Sequence, residues 1–387
     1  MEKKINKIFV FLFLLLFAFK TYALELTSEK YVLYNLNENK IILEKDANVK
    51  TDIASLTKIM TILLAVEHTE DYSKQVTITK EMLDGIAWDV AVVGFKKGQK
   101  VTYDDLLYGA MLESGADATN ALAILVSGSK TEFIKKMNEK VKELNLQNTS
   151  FANVVGLYDK NNYSSAYDMA ELLKYSLKNQ KFKELFEAKI YTLSTGKTIK
   201  STLVQYSKED TSIITGSKTG YIKAAGRCLA STSTVDDINY LLVTLNARTS
   251  DKAAHIKDAL KVYNFYKDNY AYHEFVKEDD VVVTLDTKYA KEQEIDIYSQ
   301  INKKYFHDNT FDKNKVTFEY DGIKEISYFL EKGTKLGTVK IKYDGEVIDS
   351  FELTYNQELT FSLTNLLLTH KIEVVLVSII LVFILRR

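Results

Sequence analysis

The chain has 387 residues, of which 46% are hydrophobic and 27% are charged, and its formal net charge is −1. This balance is typical of a globular protein with room for two domains, and the near-neutral charge gives no reason to expect a nucleic-acid partner. The chain has one cysteine, Cys228, so an intramolecular disulfide is excluded and a buried, inert thiol is expected.

The first 23 residues predict a secretory signal peptide. Three lysines precede an apolar stretch over residues 8–19, and residues 21–23 resemble a cleavage site of small residues. An uncleaved N-terminal anchor is the alternative. In both cases we expect the bulk of the protein to lie outside the cytoplasmic membrane.

Residues 24–272 predict a domain of helices around an antiparallel sheet. A hairpin is predicted over residues 31–44 from two β-like runs and the turn-rich segment between them. Apolar periodicity predicts helices over residues 56–66, 104–112, 118–126, 130–144, 166–175 and 253–266, and strands over residues 212–218, 227–234 and 238–245. The chain lacks the βαβ rhythm of a parallel sheet, so the predicted class is α/β in the mixed, α+β sense.

Two further segments follow. Residues 273–362 contain short alternating or β-branched runs, with Asp344-Gly345 as a hairpin turn, and predict a small all-β domain. Residues 363–387 are mostly apolar and end in Arg386-Arg387, which predicts a C-terminal membrane anchor helix. An in-plane helix is the alternative, although no polar face is visible between residues 374 and 385.

Ser55-Leu56-Thr57-Lys58 is the stretch that suggests chemistry. Residues three apart share a face of a helix, so the Ser55 hydroxyl and the Lys58 amine are predicted to meet. Serine needs a base to become a nucleophile, and lysine is a base only when neutral, although its usual pKa is about 10.4. Because burial and a nearby cation both lower that pKa, the pair needs a dry pocket and another positive group. The alternative is a capping serine beside a solvated lysine.

Two more motifs stand further along the chain. Ser114-Gly115-Ala116 marks a break between two predicted helices, and Lys218-Thr219-Gly220 lies at the end of a predicted strand. With the Ser55 motif they resemble the set Ser-x-x-Lys, Ser-x-Asn and Lys-Thr-Gly of the penicilloyl-serine transferases. The segments 54–61, 114–118, 164–170, 218–229 and 332–339 are similar to low-molecular-weight D-alanyl-D-alanine carboxypeptidases, the peptidase S11 family.

The resemblance implies a β-lactamase-like catalytic domain that removes the terminal D-Ala from peptidoglycan stem peptides ending in D-Ala-D-Ala. β-Lactam antibiotics would acylate the same serine. In this family pattern Ser55 is the acyl-ester nucleophile, Lys58 is the general base and Ser114 is a proton relay.

The same resemblance assigns the substrate-binding residues. Lys218 would attract the terminal carboxylate of the substrate and act as the second cation near the base, Thr219 would donate a hydrogen bond to that carboxylate, and Gly220 would let the strand approach the peptide closely. The oxyanion hole would consist of backbone N–H groups of Ser55 and of a residue near Tyr221.

The sequence departs from the family pattern at three places. Ala116 stands where the family has the Asn of Ser-x-Asn, so an amide that contacts the substrate and the lysine is missing. Asn120 is one turn further along the predicted helix and is not expected to replace it. Val154 and Asn162 stand where the family tends to have Pro and His.

Other functions fit less well. A serine β-lactamase needs a Glu-x-x-Leu-Asn loop, which does not occur between Ser114 and Lys218. A Ser-His-Asp hydrolase is disfavoured because the chain has no Gly-x-Ser-x-Gly and only five histidines. A protein that binds stem peptides or penicillin without turnover is a further alternative, and Ala116 supports it.

The expected partners are the stem peptide, β-lactams and the cytoplasmic membrane, which the C-terminal helix would contact. No cofactor and no metal are expected, because no ligand cluster of His, Cys or carboxylates is visible. The expected location is the outer face of a bacterial cytoplasmic membrane.

Overall fold

The structure is a computed structural model, and it describes residues 24–247 and 251–385. The predicted signal peptide, residues 1–23, lies outside the described residues. The chain divides into two compact units, with the division between Tyr266 and Lys267.

The first unit combines nine strands with nine helices, the last of which crosses the division. The strands are β1 (Lys30–Asn35), β2 (Lys40–Lys45), β3 (Gln75–Thr77), β4 (Lys100–Thr102), β5 (Ile190–Thr192), β6 (Thr198–Lys200), β7 (Gly216–Ile222), β8 (Gly226–Val235) and β9 (Ile238–Ala247). The helices are α1 (Thr57–His68), α2 (Lys80–Leu83), α3 (Tyr103–Met111), α4 (Ala116–Ser127), α5 (Lys130–Glu143), α6 (Ala166–Ser176), α7 (Gln180–Glu187), α8 (Thr202–Tyr206) and α9 (Ala254–Asn269). These counts refer to the described residues.

A five-stranded antiparallel sheet in the order β2-β1-β9-β8-β7 organises the first unit. Side chains alternate across it. On β9, Leu241 and Val243 join the core formed with the helices, whereas Tyr240 packs against Tyr263 of α9. The sheet therefore lies between α9 and the other core helices, as expected for the mixed α/β class.

Turn chemistry explains the hairpins of the sheet. The predicted β1–β2 hairpin is confirmed by the pairing of Tyr31 with Lys45. Asp236 and Asp237 join β8 to β9 with φ angles of 49° and 63°. Aspartate tolerates this left-handed region better than most side chains.

The prediction for β7 is wrong in its position. The strand does not cover residues 212–218 but Gly216–Ile222, and Lys218 pairs with Ala230 well inside it. Polar side chains of Ser217, Lys218 and Thr219 are buried here. A buried polar run lacks the alternation of apolar and polar residues that identifies strands in a sequence. The sequence therefore predicts the end of a strand at Lys218.

In its described residues, 267–385, the second unit has eight strands and two helices at its end. The strands are β10 (Tyr270–Val276), β11 (Val281–Lys288), β12 (Glu294–Tyr298), β13 (Lys303–Asp308), β14 (Val316–Gly322), β15 (Glu325–Ser327), β16 (Lys335–Tyr343) and β17 (Glu346–Thr354), and the helices are α10 (Leu363–Thr369) and α11 (Lys371–Leu385). Val339 and Leu353 lie in its core. Asp344 and Gly345 turn β16 into β17 with positive φ angles, which confirms the predicted hairpin.

The C-terminal helices are apolar but short. Among residues 24–247 and 251–385, no single helix is both long and apolar enough to cross a membrane. The pair Leu363–Thr369 and Lys371–Val382, bent by 89°, meets the criteria only when its two parts are taken together.

Candidate active site

Ser55 lies in a single 3-10 turn, Ala54–Leu56, immediately before α1. Ala54 has a φ of 47°, a conformation that costs an alanine free energy, so the surrounding packing holds this turn. The N-cap residue of α1 is Leu56, which makes no side-chain cap. The capping role for Ser55 is therefore absent, and its hydroxyl is available for another contact.

Lys58 makes that contact from the first turn of α1. Its Nζ lies 3.0 Å from Ser55 Oγ and donates to the carbonyl oxygen of Val155 at 2.6 Å. The side chain is 1% exposed, and burial lowers the pKa of Lys58 to about 7. The amine is thus neutral in a large fraction of molecules near neutral pH, which the ordinary pKa of lysine would not allow.

A tight loop supplies the carbonyl that holds Lys58. Asn153 accepts hydrogen bonds from the backbone N–H groups of Val155, Gly156 and Leu157, and its amide donates to the Leu157 carbonyl. Gly156 has a φ of 90°, and a Cβ there would lie 1.9 Å from the Ala54 carbonyl oxygen. Only glycine fits between this loop and the Ser55 turn.

The second motif meets the third. Ser114, with a φ of 57°, precedes α4 and accepts a hydrogen bond from Lys218 Nζ at 2.9 Å. Lys218 is 1% exposed and also donates to the Thr219 carbonyl oxygen at 3.0 Å. Within the described residues, no hydrogen bond joins Ser114 to Ser55 or Lys58. The proton relay predicted for Ser114 therefore has its contact with Lys218 but no direct hydrogen bond to Lys58 among the described residues.

Lys58 and Lys218 are both buried, and their positive charges repel each other. Burial, and then the charge of Lys58, lower the pKa of Lys218 well below its ordinary value. For Lys58 the cause is burial. From the sequence, the charge of Lys218 was expected to lower the pKa of Lys58. Because two charged amines are costly in such a site, the buried surroundings disfavour a state in which both lysines are charged.

β7 brings Thr219 and Gly220 to the serine. A Cβ on Gly220 would lie 3.0 Å from the Ser55 nitrogen, so the backbones of strand and turn are close. β7 is an edge strand of the sheet, and an edge strand has backbone groups that no neighbouring strand pairs. Thr219 shares a hydrogen bond of 2.6 Å with Thr202, a neighbour that the sequence analysis missed.

The positions that depart from the family pattern have definite surroundings. Ala116 is buried at the start of α4 and offers no side-chain amide at this position. Asn162 is buried, donates to Thr57 Oγ1 and accepts from the Ala152 backbone N–H, so it ties the site to α1. The most important contact that sequence reasoning missed is the Val155 carbonyl. A backbone acceptor has no side-chain signature, and Asn153 three residues before Gly156 was the only signal for its loop.

In the described part of the chain, no three His, Cys, Asp or Glu side chains form a group that could hold a metal ion. The groups that the structure brings together around Ser55 and Ser114 are hydroxyl, amine and backbone groups. A serine hydroxyl 3.0 Å from a buried lysine, with a second lysine and an edge strand beside them on a mixed α/β fold, is the arrangement expected of the serine acyl-transfer class.

Comparison with known proteins agrees with this class. The profile of the D-alanyl-D-alanine carboxypeptidase family, peptidase S11, matches residues 18–249, and the profile of the penicillin-binding protein 5 C-terminal domain matches residues 270–360. The chain therefore belongs to the peptidase S11 family and is a D-alanyl-D-alanine carboxypeptidase of that family.

Two relatives match along more than half of this chain. A D-alanyl-D-alanine carboxypeptidase of Bacillus subtilis (strain 168) is 31% identical over 342 residues, and the alignment covers 85% of each chain. Another, from Escherichia coli (strain K12), is 31% identical over 279 residues and covers 65% of this chain and 66% of the relative.

Solved structures support the fold prediction, which is confirmed. Penicillin binding protein 5 from Haemophilus influenzae superposes with a TM-score of 0.63 at 23% identity, over 87% of this chain and 98% of that one. The Streptomyces K15 DD-transpeptidase superposes with a TM-score of 0.57 at 28% identity, over 62% of this chain and 97% of that one. The catalytic unit thus has the β-lactamase-like mixed α/β fold, followed by an all-β unit.

Proposed function

We propose that this protein removes the terminal D-Ala from peptidoglycan stem peptides through an acyl-enzyme on Ser55, and that penicillins acylate the same serine. The observation that carries the proposal is the 3.0 Å contact between Ser55 Oγ and the buried Nζ of Lys58. A nucleophile needs a base within hydrogen-bond reach, and the base must be unprotonated near the working pH. Lys58 meets both conditions.

Acylation begins with neutral Lys58. Its lone pair takes the Ser55 hydroxyl proton while one N–H donates to the Val155 carbonyl, which keeps the lone pair directed at the serine. Ser55 Oγ bonds to the carbonyl carbon between the two D-alanines. The negative oxygen that forms accepts hydrogen bonds from the Ser55 N–H and from a backbone N–H near Tyr221, and each such donor contributes about 3 kcal/mol.

The leaving residue is recognised by its carboxylate. A substrate carboxylate beside Lys218 favours the protonated amine and raises its pKa, so substrate binding places the positive charge on Lys218 and leaves Lys58 neutral. Thr219 donates a hydrogen bond to the carboxylate. When the C–N bond breaks, the departing amine receives its proton from Lys58, and the hydroxyl of Ser114 relays it; Ser114 is already bonded to Lys218.

Hydrolysis repeats the same steps with water. Lys58 takes a proton from water, the hydroxide attacks the ester carbon, and the bond between that carbon and Ser55 Oγ breaks as the serine regains its proton. In a penicillin the cleaved amide stays attached within the ring-opened acyl group. The departing amine therefore does not leave the site, and the ester is expected to persist longer than that of the peptide.

The location follows from the two ends of the chain. Residues 1–23 direct export, and the apolar helices α10 and α11 hold the exported enzyme at the outer face of the cytoplasmic membrane. Large apolar side chains of α11, among them Ile372, Leu376 and Leu385, are exposed, which favours an apolar environment for them.

The test uses the full-length chain in detergent, with a peptide ending in Lys-D-Ala-D-Ala. We expect wild type to release free D-Ala and Ser55→Ala to release none. Mass spectrometry is expected to find one penicilloyl group on wild type and none on the variant. Covalent labelling that persists in folded Ser55→Ala protein contradicts Ser55 as the nucleophile.

A protein that binds stem peptides or penicillin without turnover is the second candidate, because Ala116 removes an amide from the site. The same assay separates the two functions. Penicillin labelling of Ser55 without release of D-Ala from any peptide favours the binding protein, and release of D-Ala favours the enzyme.

A further inference from the structure

A cavity of about 230 Å³ opens beside Ala116 and is lined by twelve residues. One water molecule needs far less space, whereas pockets for whole drug-sized ligands measure about 300 to 1,000 Å³. The volume thus suits a single long side chain. Apolar groups of Ile86, Val90, Ile134 and Leu157 form most of the wall.

The cavity adjoins the catalytic groups. Val155, whose carbonyl holds Lys58 at 2.6 Å, is one of its walls, and Ala116 lies two residues after Ser114. The proposed function directs the terminal carboxylate of the peptide to Lys218 and Thr219. The part of the peptide that stays on Ser55 must extend away from them, and the cavity wall at Val155 adjoins the base.

Asn120 supplies a hydrogen-bonding group to the cavity. It follows Ala116 by four residues on α4, so the two share a helix face. Its side chain is 5% exposed, yet its amide makes no hydrogen bond with any residue in the described part of the chain. Buried amides are nearly always paired. An unpaired amide that faces a cavity is a group available to a ligand.

Lys130 gives the cavity its charge. Its Nζ donates to the Asp84 carbonyl oxygen at 3.1 Å, and the ammonium group keeps further N–H donors. None of the lining residues is acidic. A ligand ending in a carboxylate would meet a cation and an amide donor here, whereas a ligand ending in an ammonium group would meet a like charge.

We propose that this cavity binds the side chain of the residue that precedes the two D-alanines, and that it prefers a side chain ending in a carboxylate to one ending in an ammonium group. The proposal rests on the proposed function, because that function fixes which part of the peptide reaches the cavity. Asn120 and Lys130 are then residues that determine substrate specificity.

The test compares three peptides that differ at one end. Each is Nα-acetyl-Lys-D-Ala-D-Ala, with the lysine side chain free, Nε-acetylated or Nε-succinylated, so that the end is an ammonium, a neutral amide or a carboxylate. Their Kd values are measured by calorimetry on full-length Ser55→Ala protein, which cannot turn them over. We expect the succinyl peptide to bind about tenfold more tightly than the free amine, with the acetyl peptide between them, and added salt to reduce the difference.

Variants of the same background locate the effect. Lys130→Met is expected to abolish the charge preference and Lys130→Glu to reverse it. Lys136→Glu is the matched control, since it makes the same charge change on an exposed residue of α5 that does not line the cavity. Asn120→Leu is expected to weaken the acetyl and succinyl peptides by about fivefold. If Asn120→Leu does not fold, the comparison of Lys130→Glu with Lys136→Glu still tests the proposal.

The outcomes separate this proposal from the proposed function. Equal Kd values for the three peptides, or equal effects of Lys130→Glu and Lys136→Glu, overturn the subsite even if wild type releases D-Ala. A preference that Lys130→Glu reverses supports the subsite as a binding site even if wild type releases none. In that last case the result contradicts the proposed hydrolytic function and not the subsite.

Discussion

Lys58 shows how burial shifts the protonation equilibrium of a lysine side chain. A charged amine loses hydration when it enters the core, so the proton is released at a lower pH. The unfolded chain keeps the ordinary lysine pKa and binds the proton up to about pH 10. Between the folded value of about 7 and the unfolded value, the folded state therefore binds fewer protons, and its stability rises with pH in that window.

The pH profile of the free enzyme tests the role of Lys58 as base. The reactive form has the lysine neutral, so kcat/KM is expected to rise about tenfold per pH unit below about 7 and to level off above it. D-Ala release between pH 5.5 and 9 measures this. Lys58→Arg is the control, because a guanidinium stays charged throughout and should be inactive at every pH. A rate that falls over the same range contradicts a neutral base.

Ala116→Asn tests what the missing amide does. An amide at this position can bond Lys58 or the peptide, and one such bond contributes about 1 kcal/mol. We expect kcat/KM for D-Ala release to rise by up to about tenfold. Ala116→Leu fills a similar volume without hydrogen-bonding groups and is expected to gain nothing. Loss of activity in the Asn variant at an unchanged Tm would mean that the site has repacked around alanine.

At the scale of elements, the loop before α6 matters as much as the motifs. The Asn153 side chain accepts hydrogen bonds from the backbone of this loop, and Gly156 allows the loop to approach the Ser55 turn. The Val155 carbonyl of the loop accepts a hydrogen bond from Lys58 and so positions the lysine. The sequence predicted the Ser55–Lys58 contact because helical spacing depends on residues close in the chain. It could not predict the Val155 contact, which joins residues 97 positions apart through a backbone atom.

The same contrast explains the strands. The hairpin with Asp344-Gly345 was predicted because its turn requires left-handed φ angles that these two residues tolerate. Strands β10, β13 and β15 were not predicted. β10 and β13 carry mixed polar and aromatic side chains of intermediate burial, so no alternating pattern marks them. β15 has three residues and pairs in parallel with β11, a tertiary contact.

Gly156→Ala tests the loop. The new Cβ would clash with the Ala54 carbonyl oxygen, and the loop must move away from Ser55. We expect the free energy of unfolding to fall by about 3 kcal/mol and penicillin acylation to slow about 100-fold, because displaced catalytic groups lose that much rate. Denaturant unfolding and labelling kinetics measure the two effects.

Gly196→Ala is the matched control for that variant. Gly196 also has a positive φ, 85°, but no atom lies within 4 Å of its added Cβ. It carries the backbone strain without the clash, so we expect a cost of about 1 kcal/mol and normal labelling. Equal losses in the two variants would mean that strain alone, and not contact with the Ser55 turn, explains the effect at Gly156.

For the whole molecule, the apolar tail raises the question of how the chain would be held at a membrane. Helix α11 has 15 residues, which corresponds to about 22 Å, whereas the hydrocarbon core of a bilayer is about 30 Å thick. The charged residues of the helix, Lys371 and Glu373, lie in its first turn, and its described residues beyond them form no charged face that would rest at an interface. We infer that α10 and α11 enter the bilayer together, and that burial of the apolar surface of α11 in the hydrocarbon core stabilises this position.

Removal of residues 363–387 tests this inference. Full-length protein is expected to float with lipid vesicles in a density gradient, and 1 M salt should not release it, because apolar burial is not screened by ions. The chain that ends at Ser362 should stay with the soluble fraction and still release D-Ala, since no proposed catalytic residue is removed. Ser55→Ala at full length should float like wild type. Flotation of the shortened chain, or release of the full chain by salt, would assign the membrane contact to charged surface and not to the helices.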